Sequence, residues 1–329
     1  MDIDGDGHPD ILSGSWPGEL FLFRGTADHA FAAPEMLKDK TGEIINIGGG
    51  ITEESNGRIL IRGSAEFDRT ANGRFVTYRG KRIESTAEKP ISVTGTASVV
   101  SVADWDGDGD LDLIVGNING EVYLVPNEGT PKAYAFGKEE ALLSNGRPIR
   151  VSSRAGPCVA DWDGDGDLDL LVGADDGSVS LYRNIGSKTS PRLAAPLRLV
   201  EASQARFGAQ VSKEAQRGSR SKICVADWNG DGKPDLLVGD LAYLKPDRPE
   251  PTPEEKAKQD QIRKELEPLE KRYRELISKL SGPSRATTNE ERDKVYEEMK
   301  QVTEKMQPLR SQLPRESETH GWVWLLVRK

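Results

Sequence analysis

The sequence is poor in the groups that most enzymes are built on. Its 329 residues include 2 cysteines and 3 histidines, and no apolar run approaches the roughly 20 residues of a membrane span. Two cysteines exclude a disulfide scaffold. Cys158 and Cys224 each precede an aspartate (Asp161, Asp227) by three residues, where a third copy of the same stretch has Ser101 before Asp104. Buried free thiols are expected there, because equivalent positions in neighbouring repeats rarely come within the ~7 Å between Cα atoms that a bridge needs. His8, His29 and His320 sit in unrelated contexts and no nucleophile has an identifiable base, so the chain reads as non-enzymatic.

What the sequence has in excess is aspartate at regular spacing. Asp161-Trp162-Asp163-Gly164-Asp165-Gly166-Asp167-Leu168-Asp169 packs five carboxylates into nine residues and runs straight into Leu170-Leu171-Val172-Gly173. Such crowding is costly without a cation among the side chains. Alternate oxygens with glycine at the turn suit Ca²⁺, which takes about six to eight oxygen ligands in a tolerant arrangement. Asp161, Asp163, Asp165 and Asp169 fill positions 1, 3, 5 and 9, and the carbonyl of Asp167 serves position 7. Magnesium prefers a stricter octahedron, and zinc would want Cys or His.

The loop recurs. Its copies are Asp2, Asp4, Asp6 and Asp10; Asp104, Asp106, Asp108, Asp110 and Asp112; and Asp227, Asn229, Asp231, Lys233 and Asp235. These loops hold seventeen aspartates, so the net charge of −9 becomes +8 without them. The acidity belongs to the loops and gives no reason to invoke nucleic acid. Each loop is followed by an apolar run ending in glycine, then by a second glycine that opens an alternating segment such as Gly120-Glu121-Val122-Tyr123-Leu124-Val125. These read as strands. With one strand before the loop (Ser98 to Ala103, Gly156 to Ala160, Ile223 to Ala226) and one after, each unit is a four-stranded antiparallel sheet, and repeated units of this kind predict an all-β fold, the β-propeller. An EF-hand is excluded because position 12 is Val115 or Val172 inside a strand, where that motif needs Glu and flanking helices.

The pattern Asp-x-Asp-x-Asp-Gly-x-x-Asp-Leu-x-Val-Gly, carried by Asp104 to Gly116, Asp161 to Gly173 and, with departures, Asp227 to Gly239, resembles the FG-GAP or VCBS repeat family, calcium-loop propellers similar to the integrin α-subunit head. The resemblance implies three to four structural Ca²⁺ sites and a secreted, periplasmic or cell-surface setting. The Phe-Gly that names the family is missing ahead of the loops. In the fourth loop Asn229 and Lys233 lower the charge, though an amide oxygen and a main-chain carbonyl still serve. The first loop begins at Asp2 with no strand before it, so sequence upstream, including any export signal, is expected to be missing.

The expected units are 1–49, a first blade without its inner strand; 50–96, a β-hairpin insertion or a degenerate blade; 97–154 and 155–217, two blades; and 218–245 joined with 320–329, a last blade split by the insertion 246–319. The insertion reads as helical. Thr252-Pro253-Glu254-Glu255 and Thr288-Asn289-Glu290-Glu291 are capping signals around a turn over 281–287. Ile262, Leu266, Leu269, Tyr273, Leu276 and Leu280, then Val295, Met299, Val302, Met306, Leu309 and Leu313, form two heptad seams. They predict an antiparallel coiled-coil arm, with Pro268 and Pro308 as kinks and self-association as one use.

Trp105, Trp162 and Trp228 share position 2 of their loops, which argues for packing between blades rather than sugar binding. The resulting function is a non-catalytic binding or scaffolding module for a protein or glycan at a cell surface. The alternatives are a carbohydrate-binding lectin, or a polysaccharide lyase using a basic cleft.

Overall fold

The computed structural model describes residues 1–70, 73–86, 88–203, 216–281, 288–315 and 317–329. They form seven sheets and two helices. Two sheets are four-stranded meanders in chain order. One joins Val99–Ala103, Asp112–Gly116, Val122–Val125 and Glu140–Ala141; the other joins Gly156–Ala160, Asp169–Gly173, Val179–Tyr182 and Leu197–Val200. Near the N-terminus, Ile11–Gly14, Leu20–Phe23 and Glu35–Met36 make a three-stranded sheet. At the other end Ser219–Ala226 and the long strand Asp235–Leu244 pair with one another, and Val323–Leu326 joins them from across the insertion.

Alternation explains why the runs after each loop are apolar throughout. Leu113 and Val115 point into a cluster with Ile3 of the first loop and Leu20 and Leu22 of the first sheet, whereas Ile114 between them packs against Leu170 and Val172 of the third sheet, the meander that starts at Gly156. In the third sheet Leu171 faces away from those two residues and meets Leu236 and Val238 of the last sheet. The two four-stranded meanders are thus covered on both faces, and burying each such side chain contributes about 1.5–3 kcal/mol. The closing glycines allow the sheets to approach. A Cβ at Gly14, Gly116 or Gly173 would collide with the backbone carbonyl of Ser98, Ala155 or Ser221 in the adjacent repeat.

The strands of the 50–96 region fall in two different sheets rather than in one hairpin. Ile59–Arg62 pairs with Gly50–Glu53 and, in parallel, with Ile91–Thr94. A parallel pairing needs a crossover, and here the crossover contains a separate meander of Glu66–Thr70, Gly73–Tyr78 and Lys81–Ser85. Buried Glu19 ties this region to the first sheet by accepting hydrogen bonds from Asn46 Nδ2 (3.1 Å), Ser64 N (2.9 Å) and Ser64 Oγ (3.1 Å).

The insertion holds helices α1 (Pro253–Ser281) and α2 (Asn289–Arg310). Thr252 and Glu255 exchange hydrogen bonds before α1, and Thr288 and Glu291 do so before α2. All twelve heptad residues form one cluster between the helices. Arg272 with Glu298 and Arg310 with Glu270 fix an antiparallel pairing. The turn expected over 281–287 lies outside the described residues from 282 onward. The hairpin does not stand wholly free. Asp293 of α2 pairs with Arg74 of the Gly73–Tyr78 strand, so opposite charges bring this end of the hairpin to the 66–85 meander.

Two sequence expectations need correction. Trp105 is buried and Trp162 is packed in the cluster of the third and last sheets, but Trp228 is 65% exposed. The position-2 side chain packs on the following repeat, and the repeat that carries Trp228 is the last one in this chain. Cys224 is exposed and Cys158 half-buried, both free. Their strand, like the others preceding the loops, is covered less completely than the strand after the loop.

Candidate metal centres

Each nine-residue loop is closed by the same register. Ala103 stands opposite Asp112, Ala160 opposite Asp169, and Ala226 opposite Asp235. In the first loop the backbone of Met1 pairs with that of Asp10, so the motif closes without a preceding strand.

The position-9 aspartates are buried and act as clamps on two segments at once. Asp169 Oδ2 accepts from Trp162 N (3.0 Å) and its Oδ1 from Asn184 N (2.6 Å). Asp112 does the same with Trp105 N (3.0 Å) and Asn127 N (2.7 Å), and Asp10 with Ile3 N (2.9 Å) and Gly25 N (2.8 Å). Asp235 takes Trp228 N (3.1 Å) and Arg328 N (2.8 Å), so the clamp survives a separation of 93 residues across the helical insertion. Burial pushes the Asp112 carboxyl up to about 6, against the two amide hydrogen bonds that favour its charged form, and raises Asp169 in the same way.

The position-1 aspartates shape the turn. Asp161 Oδ1 accepts from Gly164 N (2.8 Å) and its Oδ2 from Gly166 N (3.0 Å). Asp2 accepts from Asp6 N and Gly7 N, Asp104 from Gly109 N, and Asp227 from Gly230 N, Asp231 N and Gly232 N. Glycines at positions 4 and 6 have positive φ in every copy, from 68° at Gly5 to 97° at Gly109, a conformation in which a side chain would be strained.

Carboxylate oxygens converge in three loops. Asp2, Asp4 and Asp6; Asp104, Asp106 and Asp108; and Asp161, Asp163 and Asp169 each place one oxygen within 4.8 Å of the others. Asp10, Asp112 and Asp165 lie outside these groups, as do the side chains of Asp110 and Asp167. Burial and the charges of Asp108, Asp104 and Asp106 hold Asp110 above the usual carboxylate range. Among the described residues the fourth loop makes no such group. There Asn229 Nδ2 donates to Asp231 Oδ2 at 3.1 Å, and the hydrogen bonds from Lys233 N and Asn229 keep Asp231 below the usual range.

The donor set fits a hard cation. Asp4 Oδ1 and Asp163 Oδ1 are buried and have no hydrogen-bond partner, each at position 3 of a converging loop. An orphaned carboxylate oxygen is expensive unless a cation coordinates it. Basic side chains stand at the rims: Arg24 on Asp4, Arg183 on Asp163 at 3.2 Å, and Lys188 on Asp104 at 3.5 Å.

Asn127 and Asn184, both buried, are functional positions that the sequence reading passed over. Besides donating to the clamp, Asn127 Oδ1 accepts from Gly129 N (3.1 Å) and Ala135 N (2.9 Å), and Asn184 Oδ1 from Gly186 N and Arg192 N (both 2.9 Å). Their signal is an Asn fifteen residues after position 9 in both copies.

A family model described as FG-GAP-like repeat matches residues 104–172 and 161–238. Integrin alpha-4 of Xenopus laevis is 25% identical over 260 residues, covering 71% of this chain and 24% of that protein, so the chain spans about a quarter of this relative's length. A solved lectin from Agrocybe aegerita, described as specifically recognising non-reducing terminal N-acetylglucosamine, covers 74% of this chain and 61% of its own at 16% identity. Its TM-score of 0.29 is too low for the likeness to carry an argument. The motif and its repeated register agree with the family match, and residues 104–238 are similar to the FG-GAP-like repeats.

Proposed function

We propose that the chain forms a calcium-braced β-propeller, with blades at 1–49, 97–154, 155–217 and 218–245 plus 320–329. It acts as a non-catalytic binding or scaffolding module outside the cell or in the cell envelope. The helical hairpin and the 50–96 region are decorations that present further surface, to a protein or glycan partner or to another copy of the chain. The observation that carries the calcium reading is the pair of orphaned oxygens, Asp4 Oδ1 and Asp163 Oδ1, each among converging carboxylates.

In the third loop Asp161, Asp163 and Asp169 would hold the ion, with Asp165 and the Asp167 carbonyl completing an oxygen set. Bound there, Ca²⁺ supplies charge neutralisation and no reaction chemistry. The chain's own part is to tie the loop to the strands on either side through the position-9 clamp. Ion binding therefore becomes folding free energy, about 2.7 kcal/mol per site when free Ca²⁺ is near 100 times its Kd. Thermal melts in Ca²⁺ and in EDTA test this. Each kcal/mol is worth about 2–4 °C in a domain of this size, so chelation should lower the Tm by many degrees. An unchanged melt would sink the calcium reading.

A further inference from the structure

Segments around Trp16, Ala97, Arg154 and Lys222 converge on one cavity of about 310 Å³, near the lower bound for ligand pockets. Arg154, Arg220 and Lys222 line one part of it, and Trp16, Ala97 and Val99 another. Trp16 is 59% exposed.

The cations are held by a repeated backbone device. Ala97, Arg154 and Arg220 occupy equivalent positions at or just before the start of the first strand of their repeats. Their amides donate to the carbonyls of Trp16, Ile118 and Asp175, also equivalent to one another. All three have positive φ, of 49°, 49° and 60°. Glycine would adopt this conformation without strain, yet two of the three positions carry arginine.

Both guanidiniums are anchored through Nε to the same acceptor, Asp175 Oδ1, at 3.0 Å from Arg154 and 3.7 Å from Arg220. Among the described residues their terminal nitrogens have no further partner. Lys222 Nζ donates to Arg154 O at 3.0 Å. Protein atoms crowding its stem, and then the charge of Arg154, hold its pKa down at about 8, although the side chain still reaches solvent. Three cations thus face one carboxylate, with two donor forks directed by that carboxylate and left open at their ends.

We propose that this cavity binds an acidic saccharide, with the sugar's carboxylate or sulfate on the open guanidinium forks of Arg154 and Arg220 and the sugar ring on Trp16. Planar forks suit such anions in bidentate fashion, and an exposed indole beside them suits the apolar face of a sugar ring better than a flexible acidic side chain. The proposal deepens the binding-module reading above and rests on it.

The test is titration calorimetry of the full chain in Ca²⁺ with galacturonate, glucose 6-sulfate, galactose, triglutamate and sodium sulfate, alongside the melt in EDTA. Saturable binding of galacturonate or glucose 6-sulfate is expected, with the tighter of the two naming the natural anion, and galactose at least about tenfold weaker. Arg154→Gln and Arg220→Gln should each weaken the acidic sugar by about tenfold or more. Trp16→Ala should weaken both the acidic and the neutral sugar while preserving their ratio, which a loss of folding would not do. Equal binding of galactose and galacturonate, tighter binding of triglutamate, or sodium sulfate binding as well as glucose 6-sulfate would each overturn the proposal. No sugar binding with a melt that EDTA lowers would overturn this site alone, whereas sugar binding with a melt that EDTA leaves unmoved would overturn only the calcium reading.

Discussion

The third and fourth loops differ at two of their five ligand positions, and the comparison separates two jobs that the motif performs together. Both are closed by the same register, both wrap their turn around a position-1 aspartate, and both clamp two backbone amides with a buried position-9 aspartate. Only the third gathers three carboxylates with an orphaned oxygen among them. In the fourth, Asn229 turns its amide onto Asp231 and satisfies internally what a cation would satisfy in the third. The loop's shape is therefore written in positions 1 and 9 and in the glycines, while position 3 decides whether three carboxylates converge as a cation would require.

The largest break in that comparison should come from the clamps. Asp169→Ala leaves the amides of Trp162 and Asn184 without partners in a buried site, at about 1–3 kcal/mol for each lost partner, hence about 2–6 kcal/mol. Asp235→Ala should cost as much by freeing Trp228 N and Arg328 N, and should also release the strand that returns after the helical hairpin. Chemical denaturation in EDTA is the right measurement, because both losses must appear without metal. A loss seen only in Ca²⁺ would mean that position 9 is a ligand first and a clamp second.

The ion-binding half of the comparison should respond to smaller changes. Asp163→Asn should lose up to about 2.7 kcal/mol in excess Ca²⁺ and close to nothing in EDTA, where removing one charge from a crowded loop is harmless. The reverse change, Asn229→Asp, makes the fourth loop resemble the third. It should raise Ca²⁺ stoichiometry by one site or tighten a weak one, read by calorimetry, with a smaller gain in Tm. Equal behaviour of Asp163→Asn in Ca²⁺ and EDTA would remove position 3 from the ligand set.

Much of this architecture was legible in the sequence wherever a local rule governs it. The heptad residues from Ile262 to Leu313 meet as their spacing requires, and the strand after Gly321 rejoins Asp235–Leu244 in the expected order because its alternation matches the other repeats. The acidic spacing likewise located the loops. The clamp partners Asn127 and Asn184 leave only a shared spacing of fifteen residues from position 9, with no charge pattern to mark it. The parallel pairing of Ile59–Arg62 with Ile91–Thr94 was not legible, since it depends on a long crossover rather than on periodicity. The cavity at Arg154 and Arg220 escaped for a further reason: single residues from separate repeats look like ordinary surface charge until the sheets stack.

The smallest effect, at Trp228, is the most pointed about what a repeated residue means. Trp105 and Trp228 occupy the same loop position, yet one lies between two sheets and the other is exposed. Packing of position 2 depends on the next repeat, so Trp105→Ala should cost about 3–5 kcal/mol, whereas Trp228→Ser should stay within about 0.5 kcal/mol. Both are read from denaturant midpoints at fixed Ca²⁺. A large loss at Trp228 would show that the indole is covered in solution, by another segment or another copy of the chain. Sedimentation of Trp228→Ser against the unmodified chain would then tell the two apart, because only a second copy would make the loss depend on concentration.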